Sequence, residues 1–580
     1  MSLPPLPVPP LDESLSRLLR TYSALAAPEE LAEAEQTVAD FRRGVGQALQ
    51  QELEEFADHE YAAGRSWLTR EWDRQYMAVR DPLTLSSNAV FALALTAQDT
   101  GDPAARTAET IHRIAAVHLT EARGETETEV DPRGNALTME MWRCLAGGTR
   151  HPQHDVDTVE TGDQEAANRE IGILRDGRLF TLTISDDYGR PHGTTELAES
   201  LAPIMGSETE PSEPGFAAPS VLGGARLAPL LDDMLTDDHN AATYRRLQNL
   251  LFTVTLHSGP EDDAAEQLRT FLTEPGRIWV HKPLSYQFDP QGGDVHVSAE
   301  HSVVDGGTLI EAVRRMQEIT PADHGPLQTA PTPPQELTWR LTDDQRRAID
   351  EGLEDYMASA AELRVDVLDL PRVRDEYLPF RMSTDGLQQL IMTIAQLITY
   401  GRVRSVYESV DMRQFRAGRT ECLRPVTPEA VAFARALIAD PHPEDTAALS
   451  AALVAALDAH RDWVKACKKG HGFDRHLAGL EMIARRHGTW HPLFDSPAVA
   501  DVRTDLLSTT SLGTADQIVR YTFAPTVPQG FGIAYTQHPD RFEFTVSHLA
   551  DQADRPDRFL SALEEAAQTL HDLIRRLPPV

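Results

Sequence analysis

The sequence predicts an α/β chain in two lobes, and three observations carry that expectation. At 580 residues it exceeds what one hydrophobic core ordinarily organises. A stretch at 321–339 holding Pro321, Gly325, Pro326, Pro331, Pro333 and Pro334 breaks it into two unequal parts. On both sides of that stretch, strand-like alternation and helix-like 3.6-residue spacing follow one another, as they do when strands interleave with helices.

Taken in order, the elements begin with an extended arm, because Leu3-Pro4-Pro5-Leu6-Pro7-Val8-Pro9-Pro10 favours neither helix nor ladder. Apolar spacing through Leu15, Leu18, Leu19 and Tyr22 predicts a helix, and an acidic amphipathic run continues to about Tyr61. Aromatic residues cluster from Trp67 to Leu95. Residues 120–215 are rich in Thr, Glu, Asp and Gly, so exposed loops are expected around short strands such as 179–183. Residues 251–256 and 294–298 read as further strands. Beyond the proline-rich stretch come a helix over 342–363 and a strand over 364–368. Ser383, Thr384 or Asp385 can cap the next helix, whose apolar face is Leu387, Leu390, Ile391, Ile394, Leu397 and Ile398. A last helix over 556–577 buries Phe559, Leu563, Leu570 and Leu573 by the same spacing.

Composition narrows the function. Hydrophobic content of 41% and charged content of 25% describe a soluble globular protein. A formal net charge of −36 opposes sequence-independent binding to nucleic acid or anionic membrane. There is no run of ~20 apolar residues, so no membrane span is expected. Cys144, Cys422 and Cys467 lack metal-ligand or redox spacing, which predicts a reducing compartment. The first residues lack the basic and apolar regions of a signal peptide, and a cytoplasmic monomer is the expectation.

The most informative stretch is Glu300-His301-Ser302-Val303-Val304-Asp305-Gly306. It delivers a histidine from a strand end, where an imidazole is well placed to take a proton from an alcohol or thiol. The Asp-Gly pair four residues on turns the chain and lets Asp305 anchor the loop or the ring. A histidine beside a surface turn is the plainer alternative.

Three later segments widen that motif into a constellation. They are Tyr407-Glu408-Ser409 continuing to Arg419-Thr420-Glu421, then Phe473-Asp474-Arg475-His476, then Leu507-Ser508-Thr509-Thr510-Ser511 with Pro525–Gly532 after it. With the histidine motif and the segment from Trp67 to Asn88, they resemble the choline/carnitine acyltransferase family across essentially the whole chain. The resemblance implies two lobes, each similar to chloramphenicol acetyltransferase, with the active site in a tunnel at their interface. It implies residues 1–60 and 340–580 as the lobe binding acyl donor and acceptor, 61–320 as the lobe of the histidine, and 321–339 as linker. It also implies acyl transfer between coenzyme A and the hydroxyl of carnitine or choline.

Within that family pattern His301 is the general base, and Asp305 orients the ring or holds its loop, with Arg419 as the partner to be tested. Ser511 matches the hydroxyl that stabilises the oxyanion, and Thr509 the one that touches the acceptor. Arg475 stands where carnitine enzymes bind the acceptor carboxylate, with Tyr407 and Thr420 as hydroxyl partners and Tyr76 as a wall. Arg475 could equally pair with Asp474 on a helix surface. The threonine usual two residues after Thr420 is Cys422 here. Tyr521 matches the position that sets acyl-chain length, and its bulk implies a short chain.

On the donor side the family's lysines before a Ser-Pro-Asp segment are replaced. Ser383-Thr384-Asp385 follows Arg374 at the first lysine position, Leu378 at the second, and Arg381 nearby. Coenzyme A or acyl-coenzyme A is expected as co-substrate, with no permanently bound cofactor and no metal. With one cation fewer, an acyl carrier protein is an alternative donor, delivering the acyl group to a different small alcohol in secondary metabolism.

Overall fold

The computed structural model describes residues 3–97, 101–162, 168–206, 211–257, 263–292, 294–321, 332–439, 446–550 and 555–578. The strands of the first part are β1 (Ala89–Leu93), β2 (Thr149–His151), β3 (Thr158–Glu160), β4 (Glu170–Arg175), β5 (Arg178–Thr183), β6 (Thr253–Leu256), β7 (Leu284–Phe288), β8 (Val295–Ala299) and β9 (Gln335–Leu337). Those of the second are β10 (Leu363–Pro371), β11 (Val406–Asp411), β12 (Thr420–Leu423), β13 (Leu507–Thr514), β14 (Ile518–Phe523), β15 (Phe531–Gln537) and β16 (Arg541–Leu549). Two large sheets result, in the orders β14-β1-β8-β7-β6-β4-β5-β9 and β10-β16-β15-β13-β11-β12, and β2 pairs with β3 alone. The molecule is α/β with two sheet-containing lobes.

One strand crosses between the lobes. β14 lies in the second part of the chain but pairs antiparallel with β1, setting Tyr521 opposite Phe91. The edge of β1 would otherwise leave Val90 and Phe91 beside unpaired backbone groups, and β14 covers it. The proline-rich stretch also contributes: β9 pairs antiparallel with β5, while residues 322–331 lie outside the described residues.

Helices cover the sheets where their apolar stripes require it. At the N-terminus α1 (Leu11–Ser23) is the helix expected through Tyr22, and α2 (Pro28–Arg43) and α3 (Gly46–Ala62) divide the acidic run expected after it. The break is at Gly44, where the amide closes α2 on Asp40. These helices bury Leu15, Leu18, Phe41 and Leu53 against Leu477, Leu480 and Phe494. Next come α4 (Thr69–Met77), α5 (Pro103–Ala122), α6 (Gly306–Glu318) and α7 (Asp343–Ala360). Tyr356 of α7 packs with Leu83, Val221 and Val280 of the first part.

The second lobe centres on α8 (Thr384–Tyr400), α9 (Thr446–Lys468), α10 (Asp474–His487) and α11 (Pro556–Arg576). Ser383 caps α8, its hydroxyl accepting the Gly386 amide at 3.1 Å. Gly401, at φ 70°, ends the helix in the left-handed conformation that glycine adopts without strain. Between α8, α11 and the sheet lie Leu390, Ile394, Phe531, Ile533, Phe544, Phe559 and Leu570.

Candidate active site

β8 ends at Ala299, and the turn that follows presents His301 with 37% of its side chain exposed. The ring Nδ1 lies 2.8 Å from the Val304 carbonyl. A carbonyl only accepts, so Nδ1 carries the proton and the Nε2 lone pair is left as the acceptor. Asp305 Oδ1 stands 3.7 Å from the same nitrogen. Asp305 occupies the N-cap position of α6 without capping it.

Its carboxylate is instead gripped by Arg419, which reaches over from the second lobe. Arg419 Nε and Nη2 donate to the two Asp305 oxygens at 2.7 and 2.8 Å. Nη1 and Nη2 also donate to the Ser302 and His301 carbonyls at 2.6 and 3.0 Å. Burial pushes the Asp305 carboxyl up, and the Arg419 charge more than reverses this, leaving it below its ordinary value.

Arg475, in the first turn of α10, is half-buried. Its Nη2 lies 3.4 Å from the Tyr407 hydroxyl, and its Nε donates to the Thr420 carbonyl at 3.3 Å. Asp474, the alternative partner, is taken by a fork from the buried Arg424 at 3.1 and 2.7 Å. Sequence reasoning missed Trp72. The guanidinium carbons of Arg475 and Arg419 stand 4.7 and 5.0 Å from its ring centre. One turn on, Tyr76 meets the His301 ring edge-on at 5.7 Å, and burial pushes its hydroxyl up to about 12. The four-residue spacing of Trp72 and Tyr76 on α4 was the available signal.

The hydroxyl row of β13 requires a correction. β13 runs parallel to β15 and pairs Ser511 with Tyr535 and Thr510 with Ala534. Tyr535 points toward α8, donating toward Asp385 at 2.8 Å, so Ser511 shares that face. Thr509 does too: it is 1% exposed, donates to the Tyr407 carbonyl at 2.7 Å and accepts from Gln389 at 2.9 Å. Ser508, Thr510 and Leu512 occupy the other face. Leu512 packs on Gly306 so tightly that an added Cβ there would come within 2.5 Å of it. The side of the strand facing the His301 loop therefore carries Ser508 and Thr510, one residue out of step with the Thr509 and Ser511 expectation. Ser409 lies on that side as well, its hydroxyl 3.4 Å from that of Thr510.

At the start of α8 the Asp385 carboxylate turns inward. It accepts from His460 Nε2 at 2.8 Å and meets the Tyr535 hydroxyl, which also reaches Glu408 at 2.6 Å. Asp385, Glu408 and His460 offer ligand-type atoms within 4.8 Å of one another. Tyr535 already engages Asp385 Oδ1 and Glu408 Oε1, and Gln389 engages Glu408 Oε2. Arg381 lines a cavity of about 650 Å³ with Ser383, Thr384 and Arg461. Arg374 is exposed and does not line it.

Tyr521 is buried where the lobes join. It stacks on Phe91 at 5.3 Å, and its hydroxyl donates to the Thr510 carbonyl at 2.8 Å. No described helix is long and apolar enough to cross a membrane.

Residues 6–565 match the family described as Choline/Carnitine o-acyltransferase. The human mitochondrial carnitine O-palmitoyltransferase 2 is 26% identical over 621 residues, covering 99% of this chain and 92% of its own. The carnitine O-acetyltransferase of Columba livia is 26% identical over 607 residues, covering 100% and 94%. A solved trichothecene 15-O-acetyltransferase from Fusarium sporotrichioides aligns with a TM-score of 0.41 and 10% identity, covering 86% of this chain and 94% of that one. Likeness at that level adds nothing to the family assignment.

Proposed function

We propose that this chain, which belongs to the choline/carnitine O-acyltransferase family, moves a short acyl group reversibly between coenzyme A and the hydroxyl of carnitine. The observation that carries the reading is the His301 ring, tied through Nδ1 to the Val304 carbonyl and left with Nε2 to accept a proton. In the forward step Nε2 takes the acceptor's hydroxyl proton as its oxygen attacks the thioester carbon. The resulting oxyanion is stabilised by the Thr510 hydroxyl. The tetrahedral intermediate collapses with loss of the thiolate, which recovers the proton from the imidazolium. Asp305 and Arg419 act as positioning residues for the loop, and the Asp305 carboxylate favours the imidazolium as it forms.

Carnitine over choline is supported by Arg475. A guanidinium beside two hydroxyl-bearing side chains, Tyr407 and Thr420, suits a carboxylate that choline lacks. Arg475 and Tyr76 bound the acceptor's place on two sides. A short acyl chain is supported by Tyr521, whose stacked ring and anchored hydroxyl fill the space a longer chain needs. Coenzyme A is the co-substrate the family implies, and Arg381 beside the α8 N-terminus is the cation we assign to its phosphates. Three free, buried cysteines support a reducing, cytoplasmic setting.

The test is thiol release from acetyl-, octanoyl- and palmitoyl-coenzyme A, each with carnitine or choline. Acetyl-coenzyme A with carnitine is expected to turn over fastest, and Arg475→Asn to raise the carnitine KM at least ~10-fold. A palmitoyl preference would remove the role given to Tyr521, and a choline preference the role given to Arg475.

A further inference from the structure

Arg150 is a buried charge that no step above uses; its side chain is wholly shut off from solvent. It leaves β2 and spreads its guanidinium over three parts of the scaffold. Nε donates to Asp157 at 2.7 Å, and Nη1 to Glu300 at 3.1 Å. Nη2 donates to the Tyr76 and Val79 carbonyls at 2.8 and 3.5 Å. Glu300 directly precedes His301, and its carboxylate also receives the Ser302 amide at 3.3 Å and the Ser302 hydroxyl. Both neighbours of the histidine thus hang on one carboxylate held by Arg150.

The other end of the fork reaches a helix terminus. The last carbonyls of a helix lack intrahelical donors, and a guanidinium satisfies them with favourable charge. Arg150 takes that of Tyr76, while Arg80 takes those of Met77 and Ala78 at 2.7 and 3.4 Å. Arg80 is itself held by Asp157 at 2.6 Å. The helix so clamped is α4, which carries Trp72 beneath Arg419 and Arg475 and Tyr76 against His301.

We propose that Arg150 is a positioning residue that fixes the attitude of the base relative to the helix walling the acceptor. One rigid fork sets Glu300, and with it His301, and the end of α4, and with it Trp72 and Tyr76. Only a planar guanidinium serves all these partners, because its donors point in fixed directions; an ammonium keeps the charge but loses the fork. The kinetic part of the inference rests on the acyl-transfer reading, whereas its spectroscopic part does not.

The test uses Arg150→Lys, which retains the charge between Asp157 and Glu300, with the Arg150→Met/Glu300→Gln pair as a second variant that removes both signs together. Ring spectra of histidine-labelled protein, with the His301 signal identified through His301→Ala, report the imidazole directly. We expect Arg150→Lys to shift the His301 ring signals while those of the remote His118 stay in place. We expect a kcat loss of ~10- to 100-fold and a raised acceptor KM with the acyl-donor KM unchanged. The double variant should show the same pattern with an unaltered circular dichroism spectrum. Unmoved His301 signals with wild-type kcat, or a donor KM that moves as far as the acceptor KM, would overturn the proposal. A wild-type protein inactive toward carnitine would instead remove the acyl-transfer reading, and the ring spectra would still decide the role of Arg150.

Discussion

Asp305 could cap α6 or balance a charge, and it balances a charge. Its two hydrogen bonds from Arg419 hold the carboxyl below its ordinary value despite burial. When the folded value lies below the unfolded one, the unfolded chain takes up the proton first as pH falls. The stabilisation is therefore complete above the ordinary carboxylate range and is lost as pH drops through the lowered folded value. Urea unfolding of wild type and Asp305→Asn should differ by about 3 kcal/mol at pH 7, and the gap should narrow as pH falls below the ordinary carboxylate range. A gap independent of pH would show that the pair adds nothing. His301, Asp305, Arg419 and Arg475 were legible in the sequence because each is a polar residue inside a long ordered motif. Trp72 was not, since an aromatic in an aromatic-rich segment reads equally well as core. Arg150 was hidden for another reason: its partners, Tyr76 and Glu300, stand 74 and 150 residues away.

At the scale of the element, most helices and strands could be read from periodicity. The strand expected over 364–368 extends over Leu363–Pro371, and the last helix expected over 556–577 spans Pro556–Arg576. The N-terminal run failed at its break, because Gly44 interrupts a pattern whose amphipathic spacing continues across it. The more consequential miss is in β13. Ser508 to Ser511 are all hydroxyl-bearing, so composition cannot say which alternate pair faces the histidine; only the pairing with β11 and β15 decides. Thr510→Val is accordingly expected to lower kcat by ~100-fold, and Ser511→Ala to change it less than ~3-fold. Steady-state rates at saturating substrates check this, and the reverse ranking would restore the sequence-based register.

At the scale of the molecule, the site exists only because residues from both halves of the chain meet. β14 crosses into the first sheet, Arg419 reaches the His301 loop, and Arg413 donates to both oxygens of Glu129 at 2.7 Å. Apart from the Arg419–Asp305 pair, which the family resemblance implied, these joins have no local signature, since each pairs segments far apart in sequence, so the two-lobe plan was readable while most of its stitching was not. The arrangement brings one imidazole, its proton placed on Nδ1 by a backbone carbonyl, to the place where an alcohol and a thioester are proposed to meet. The most direct test is the turnover of acetyl-coenzyme A and carnitine by His301→Gln in protein that unfolds at the wild-type midpoint. A loss of ~1,000-fold or more in kcat is the predicted result, and a rate within a few-fold of wild type would contradict the account.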